Sequence, residues 1–180
     1  MEMKIALIGM TGVGKTTVGK ILAENLGCDF IDIDEMIIET TKKTPAEIFA
    51  EDGETVFRDI ESNILEHTLT QDTADSIISC GGGIVLREKN RELLRQNAVV
   101  LWIMRPLDDI MQKSPEILSR PPINNNLENY VKNFKARESL YAQTCHFKID
   151  LADFCSTENT ADEAAAEIAR VIAKDYQNMF

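Results

Sequence analysis

Short apolar runs recur along the chain at Lys4–Ile8, Phe30–Ile33, Ser76–Ser79, Val99–Ile103 and Phe147–Ile149. They are too short for helices and suit buried strands. Between them the apolar positions change to helical spacing. Over Lys15–Leu26 they fall at Val18, Ile21, Leu22 and Leu26, and Gly27 follows as a helix stop. Helical patterns also cover much of Asp34–Leu69, then Glu88–Gln96, Leu107–Met111, Leu127–Tyr141 and Ala161–Ala173. Strands that alternate with helices predict parallel βαβ units and a sheet covered on both faces. The expected fold is therefore α/β, a three-layer α/β/α arrangement around a five-stranded parallel sheet. Ligands in such sheets bind beyond the strand C-termini. Asp32 and Asp34 stand at the end of the second strand, Gly81, Gly82 and Gly83 at the third, and Arg105 at the fourth.

Three stretches depart from the alternation. Residues 34–70 form a largely helical insert, too long for a simple crossover. Residues 113–126 contain three prolines and three asparagines, which predicts a mobile connection of the kind that serves as a lid. Asp150–Asn159 reads as a polar loop before the last helix, with Thr160 as its N-cap and Asp162 and Glu163 in its first turn.

The first βα junction carries the most specific signal. Gly9-Met10-Thr11-Gly12-Val13-Gly14-Lys15-Thr16-Thr17 satisfies G-x-x-x-x-G-K-[ST], between a strand and a helix as that motif requires. Its glycines let successive N–H groups converge, and the helix N-terminus adds partial positive charge, so the loop is an anion cradle. Gly12, Val13, Gly14, Lys15, Thr16 and Thr17 are the expected nucleotide-binding residues. Lys15 reaches the β- and γ-phosphates and the Thr16 hydroxyl ligates Mg²⁺. A glycine-rich turn that binds nothing is the competing reading, and the agreement of every fixed position and both flanks weighs against it.

Composition narrows the partners. The 180 residues suffice for one domain spanning 1–180 and are too few for two of ordinary size. A net charge of −11 argues against non-specific binding to nucleic acid or to an anionic membrane. An anionic substrate then needs a local basic pocket. Cys28, Cys80, Cys145 and Cys155 are scattered, with no C-x-x-C pair, which points to reduced thiols and a cytoplasmic protein rather than a zinc site. No run approaches the roughly 18 apolar residues of a membrane span.

The second substrate has to be read from the remaining polar residues. In a strand, Asp32 and Asp34 would share one face, beside the phosphate loop. One could hold the Mg²⁺ shell and the other orient or deprotonate a hydroxyl; for one of them, a cap on the following helix is the competing, plainer reading. Arg58 lies among acids, where a surface ion pair is the default. The triple glycine after the third strand suggests a backbone that must approach a ligand closely, against the plainer reading of a flexible bend. Arg137 and Tyr141 share a helical face.

Taken in order, Gly9–Thr17, Asp32-x-Asp34, Gly53-Glu54-x-x-Phe57-Arg58-x-x-Glu61, Gly81–Gly83, Arg120-Pro121 and Arg137-x-x-x-Tyr141 resemble the motifs of the shikimate kinases over nearly the whole chain. The resemblance implies a P-loop kinase fold and ATP-dependent phosphorylation of the shikimate 3-hydroxyl, in the chorismate route to aromatic amino acids. It implies Mg²⁺ as cofactor and ATP and shikimate as the partners; a monomer is expected, although no residue pattern carries that expectation. It makes residues 34–70 the substrate-binding insert and 113–126 the lid. By the same resemblance Asp34 contacts the substrate hydroxyls as candidate base, with Lys15 and Arg120 as further catalytic residues. Arg58 and Arg137 hold the carboxylate and Gly81–Gly83 line the substrate. Phe49 and Phe57 wall its ring, and Asp32 joins Thr16 in the metal shell. Arg120 is the lid arginine that closes on the phosphates. The family lid usually reads Arg-Pro-Leu-Leu, where this chain has Arg120-Pro121-Pro122-Ile123; the second proline stiffens the segment and removes an N–H donor. A related small-molecule kinase such as a gluconate kinase, and a non-catalytic nucleotide-binding regulator, are the alternatives.

Overall fold

The computed structural model describes residues 3–71, 74–113, 126–154 and 163–170. Strand β1 (Lys4–Ile8) is the middle of a five-stranded sheet with β2 (Asp29–Asp32), β3 (Ser76–Ser79), β4 (Val99–Met104) and β5 (Phe147–Asp150), in the order β2-β3-β1-β4-β5. Every pairing is parallel, with Ile5 opposite both Ile77 and Val99. All five residues of β1 are buried, which is why the run is continuously apolar: a parallel sheet has helices on both faces. Lys4 is the exception in type. Its ammonium reaches the end of the insert and donates to the carbonyls of Thr68 and Leu69 at 2.7 and 3.2 Å.

From β1 the chain runs outward to β2 and returns to β3 on one side, then crosses to β4 on the other. The C-terminal end of β1 is thus the switch point, where a crevice opens. Helix α1 (Lys15–Leu26) starts there and ends at Gly27, whose φ of 66° gives the left-handed cap. The insert resolves into α2 (Ile33–Thr41), α3 (Pro45–Glu51) and α4 (Gly53–Thr70). Thr44 and Glu47 form a reciprocal capping box at α3, with Pro45 in the first turn. Helices α5 (Glu88–Asn97), α6 (Leu107–Lys113) and α7 (Leu127–Thr144) follow the later strands. Residues 163–170 are helical (α8) and bury Ala164, Ala165 and Ile168.

Some expected boundaries move. β2 begins at Asp29 and stops at Asp32, because Ile33 already belongs to α2. The stretch from Asp150 is not a polar loop at its start: Asp150 ends β5, and Leu151–Phe154 makes a 3₁₀ turn with Leu151 fully buried. Of the expected lid, Lys113 closes α6, and Asn126 caps α7 by accepting from the Glu128 and Asn129 N–H groups. Residues 114–125, with Arg120 and Pro121–Ile123, lie outside the described residues, as do Thr160 and Asp162. No helix among the described residues is long and apolar enough to cross a membrane.

Candidate active site

The phosphate loop needs its glycines for two reasons. Gly9, Gly12 and Gly14 have φ of 142°, 86° and 102°, values that L side chains avoid. A Cβ on Gly9 would also collide with the carbonyl of Ile103 on the neighbouring strand. Buried Val13 anchors the loop to the core. Lys15 folds back along it and donates to the Gly9 and Met10 carbonyls, at 2.9 Å each. Its ammonium is therefore held over the loop, where an anion in the cradle would lie.

Thr16 opens α1 and donates through Oγ1 to Asp32 Oδ2 at 2.9 Å, with Ser79 Oγ 3.4 Å away. The other Asp32 oxygen accepts from the Asp34 N–H at 3.0 Å and so caps α2. This corrects the strand-face expectation for the two carboxylates. Asp32 ends β2, whereas Asp34 stands in the first turn of a helix, and the two diverge. Asp32 combines both roles foreseen for it, cap and partner of Thr16. A hydroxyl beside a carboxylate at the foot of a phosphate loop is a donor set that fits Mg²⁺, which takes one or two protein oxygens together with phosphate oxygens and water. The described residues contain no group of three or more His, Cys, Asp or Glu side chains able to hold a metal by themselves.

Beside the loop a cavity of about 290 Å³ is lined by Met10 and Thr11 at one end and by Asp34, Phe49, Phe57, Arg58, Glu61, Gly81–Gly83, Asn133 and Arg137 around its wall. Arg58 and Arg137, on α4 and α7, are both buried there, 7% and 6% exposed. Two cations are thus brought into one cavity of a net-acidic chain, beside the carboxyl groups of Asp34 and Glu61, and an anionic substrate would have the two guanidinium groups to bind. Arg58 Nη1 donates to Glu61 Oε2 at 2.7 Å, and Nη2 and Nε reach Glu54 Oε1 at 3.3 Å. Its guanidinium also lies 5.0 Å from the Phe57 ring centre, and Phe57 packs on Phe49 at 4.6 Å. Arg137 Nη1 and the Tyr141 hydroxyl donate to the same acceptor, the Gly82 carbonyl, at 3.1 and 2.5 Å. The shared helical face of Arg137 and Tyr141 thus converges on the glycine turn.

The three glycines are explained by their neighbours within the protein. None has positive φ. A Cβ would come within 2.8 Å of Glu61 Oε1 at Gly81 and within 2.9 Å of Thr11 Oγ1 at Gly82, and would overlap the Arg58 guanidinium at Gly83. Missing side chains let Arg58, Glu61 and the phosphate loop pack directly on this backbone. The plain reading of a flexible bend has no support in that packing.

Glu61 was not among the expected site residues. It is fully buried, its Oε1 has no hydrogen-bond partner among the described residues, and burial raises its pKa although Arg58 opposes the shift. The signal for it was its position three residues after Arg58, on the same helical face. Asn133 was missed too; it precedes Arg137 by one turn and so lines the same wall. Burial also pushes the Tyr141 hydroxyl up to about 12, which keeps it a donor at neutral pH. Arg120 lies outside the described residues.

A sequence model of shikimate kinase matches residues 11–173. The chain belongs to the shikimate kinase family. Among its relatives, the shikimate kinase of Clostridium botulinum (strain Eklund 17B / Type B) is 39% identical over 172 residues, 96% of this chain and 98% of that one. The shikimate kinase of Thermodesulfovibrio yellowstonii is 35% identical over 178 residues, 97% and 95% of the two chains. Among solved structures, the shikimate kinase from Acinetobacter baumannii, a complex with shikimate, superposes with a TM-score of 0.85 at 31% identity, over 97% of this chain and 95% of that one. The five-stranded α/β architecture is that of the family, and membership makes this chain a phosphotransferase.

Proposed function

We propose that this chain transfers the γ-phosphoryl group of ATP to the 3-hydroxyl of shikimate, in the route to chorismate and the aromatic amino acids. The observation that carries the reading is one cavity lined by residues of the phosphate loop, by Asp34 and by two buried arginines. Shikimate is a polyol acid. Arginine forks match a carboxylate, and a carboxylate accepts from hydroxyls.

The residues then take these roles. The N–H groups of Gly12–Thr17 cradle the phosphates, and Lys15 stabilises charge on the transferring group. Arg58 and Arg137 hold the substrate carboxylate, while Gly81–Gly83 and the Phe49–Phe57 pair set the walls. Asp34 accepts the proton of the 3-hydroxyl as its oxygen bonds to the γ-phosphorus and the bond to the bridging β–γ oxygen breaks, releasing ADP. Thr16 and Asp32 would hold Mg²⁺. When bound, that ion offsets charge on the β- and γ-phosphate oxygens. Residues 34–70 serve as the substrate-binding insert. Residues 113–126 serve as the lid, with Arg120 closing on the phosphates. Reduced thiols at Cys28, Cys80 and Cys145 support a cytoplasmic enzyme, which we take to be monomeric.

A coupled ADP-release assay against shikimate, quinate, gluconate and AMP tests the reading. Turnover of shikimate well above the other three is expected. Preference for gluconate or AMP would replace the substrate, and no turnover with any of them would favour a regulator.

A further inference from the structure

The family motifs leave unused a cation that stands beside the phosphate loop. Arg105 follows the last residue of β4, at the same sheet edge as the phosphate loop. Its guanidinium lies across Gly14: Nη2 and Cζ are 3.6 and 3.8 Å from the point where a Gly14 Cβ would stand, and Leu151 Cδ1 flanks that point at 3.6 Å. Its Nε is buried and has no hydrogen-bond partner among the described residues.

No other described arginine is in that position. Arg58, Arg87 and Arg170 pair with carboxylates. Arg91, Arg95 and Arg137 donate to backbone carbonyls. Arg105 also lines a second cavity of about 280 Å³, bounded by Val13, Trp102, Ile110 and Tyr130, whose wall contains no acidic side chain. In a chain of net charge −11, a guanidinium with no carboxylate partner among the described residues, partly withdrawn from water, is costly unless a ligand completes it.

The place it occupies says which ligand. Lys15 donates to the carbonyls at the entry of the loop, and Arg105 lies against its last glycine. In such loops the lysine serves the β- and γ-phosphates, while the backbone at the helix start holds the α- and β-phosphates. We propose that Arg105 is a further nucleotide-binding residue, bonding the α/β-phosphate end of the nucleotide from the β4 side of the loop. The proposal rests on the nucleotide-binding reading of Gly9–Thr17.

Isothermal titration of MgADP, adenosine and shikimate into the wild type, Arg105→Met and Arg105→Lys tests it, with melting temperatures measured without ligand. A charged hydrogen bond of this kind corresponds to roughly a ten- to hundredfold loss of MgADP affinity in Arg105→Met. Adenosine and shikimate affinities should be unchanged. Arg105→Lys should recover much of the loss, since an ammonium serves phosphate as a point charge. The ligand-free melting temperature of Arg105→Met should be equal or higher, because an unpartnered guanidinium has been removed. MgADP affinity equal to wild type would overturn the proposal. So would an equal loss for adenosine, which would put the contact on the base or ribose, or a parallel loss for shikimate. An Arg105→Met protein that fails to fold would make the residue structural and overturn it as well. A wild type that binds no MgADP would instead refute the reading of the loop.

Discussion

The substitution Gly83→Ala tests the cavity most directly, because it adds one methyl group and removes nothing. Gly83 has φ of −98°, a value alanine adopts freely, so the backbone is not strained. The new Cβ would fall on the Arg58 guanidinium, which Glu61 holds at 2.7 Å and Glu54 at 3.3 Å. Of the two groups that could move, the far end of a side chain is softer than a backbone packed on its neighbours, so Arg58 should be driven from its place. If Arg58 is one arm of the carboxylate clamp, one charged hydrogen bond is lost, worth about 1.5–3 kcal/mol. At about 1.4 kcal/mol per tenfold, shikimate affinity should fall roughly ten- to a hundredfold. MgADP affinity should hold, since the atoms nearest to that Cβ all belong to Arg58. Gly82→Ala is the contrast: its Cβ would meet Thr11 Oγ1 at 2.9 Å, so both ligands should suffer. Isothermal titration of each ligand into the two variants reads both effects. Shikimate binding to Gly83→Ala within about twofold of wild type would refute the placement of the carboxylate at Arg58.

Lys15→Ala should keep the fold and lower turnover by about 10²–10³, as loss of an electrostatic stabiliser does; near-parental turnover would remove Lys15 from the site. Asp34→Asn should lower turnover by about 10²–10⁴ at unchanged Mg²⁺ requirement, the worth of general-base help. Asp32→Asn, which keeps an equally good cap on α2, should raise the Mg²⁺ concentration needed for activity; an equal Mg²⁺ dependence in the two would refute this division. For pH, burial raises the Glu61 pKa in the folded protein above its value in the unfolded chain. Its stabilising contribution is then complete below the unfolded value and lost as pH rises through the folded one. The contribution of Glu61 to the stability of the ligand-free protein should therefore decline as pH climbs from about 4.3 upward. Glu61→Gln should remove that slope in denaturant midpoints measured across the range, and an unaltered slope would exclude Glu61 as its source.

What was legible in the sequence was local. Strand, loop and helix at residues 4–26 are set by adjacent residues, so the phosphate loop and its glycines could be read directly. The alternation of elements predicted the parallel sheet because buried strands and amphipathic helices differ in period. Asp34 was misplaced for a local reason as well. The two carboxylates fit a strand period, but an Asp at position 32 is also a strong N-cap, and that preference ended β2 one residue early. The close approaches could not be read. That Gly83 faces Arg58, Gly81 faces Glu61, and the Tyr130 hydroxyl donates to the Thr11 carbonyl at 3.0 Å are consequences of packing between distant elements. Arg105 escaped assignment because a lone arginine after a strand has no pattern; its significance lies in its place against Gly14 and in a buried Nε without a partner among the described residues.

The Arg58 network also explains how an acidic protein can keep a cation ready for an acid. Its two carboxylate partners are unequal. Glu54 is 52% exposed and bonds at 3.3 Å, whereas the Glu61 side chain is 1% exposed and bonds at 2.7 Å. An exposed pair contributes about 0–1 kcal/mol, so an incoming carboxylate can displace Glu54 at little cost. Glu61 cannot leave, and its bond fixes the plane of the guanidinium that faces the cavity. Breaking a buried pair from one side would strand the other charge. The asymmetry turns one contact into support and leaves the other exchangeable. On α7, Arg137 is fixed differently, by the Gly82 carbonyl that it shares with Tyr141. One arm of the proposed clamp is therefore set by a buried acid and the other by the glycine turn. Because a Cβ at Gly83 would displace the first arm, that turn governs both.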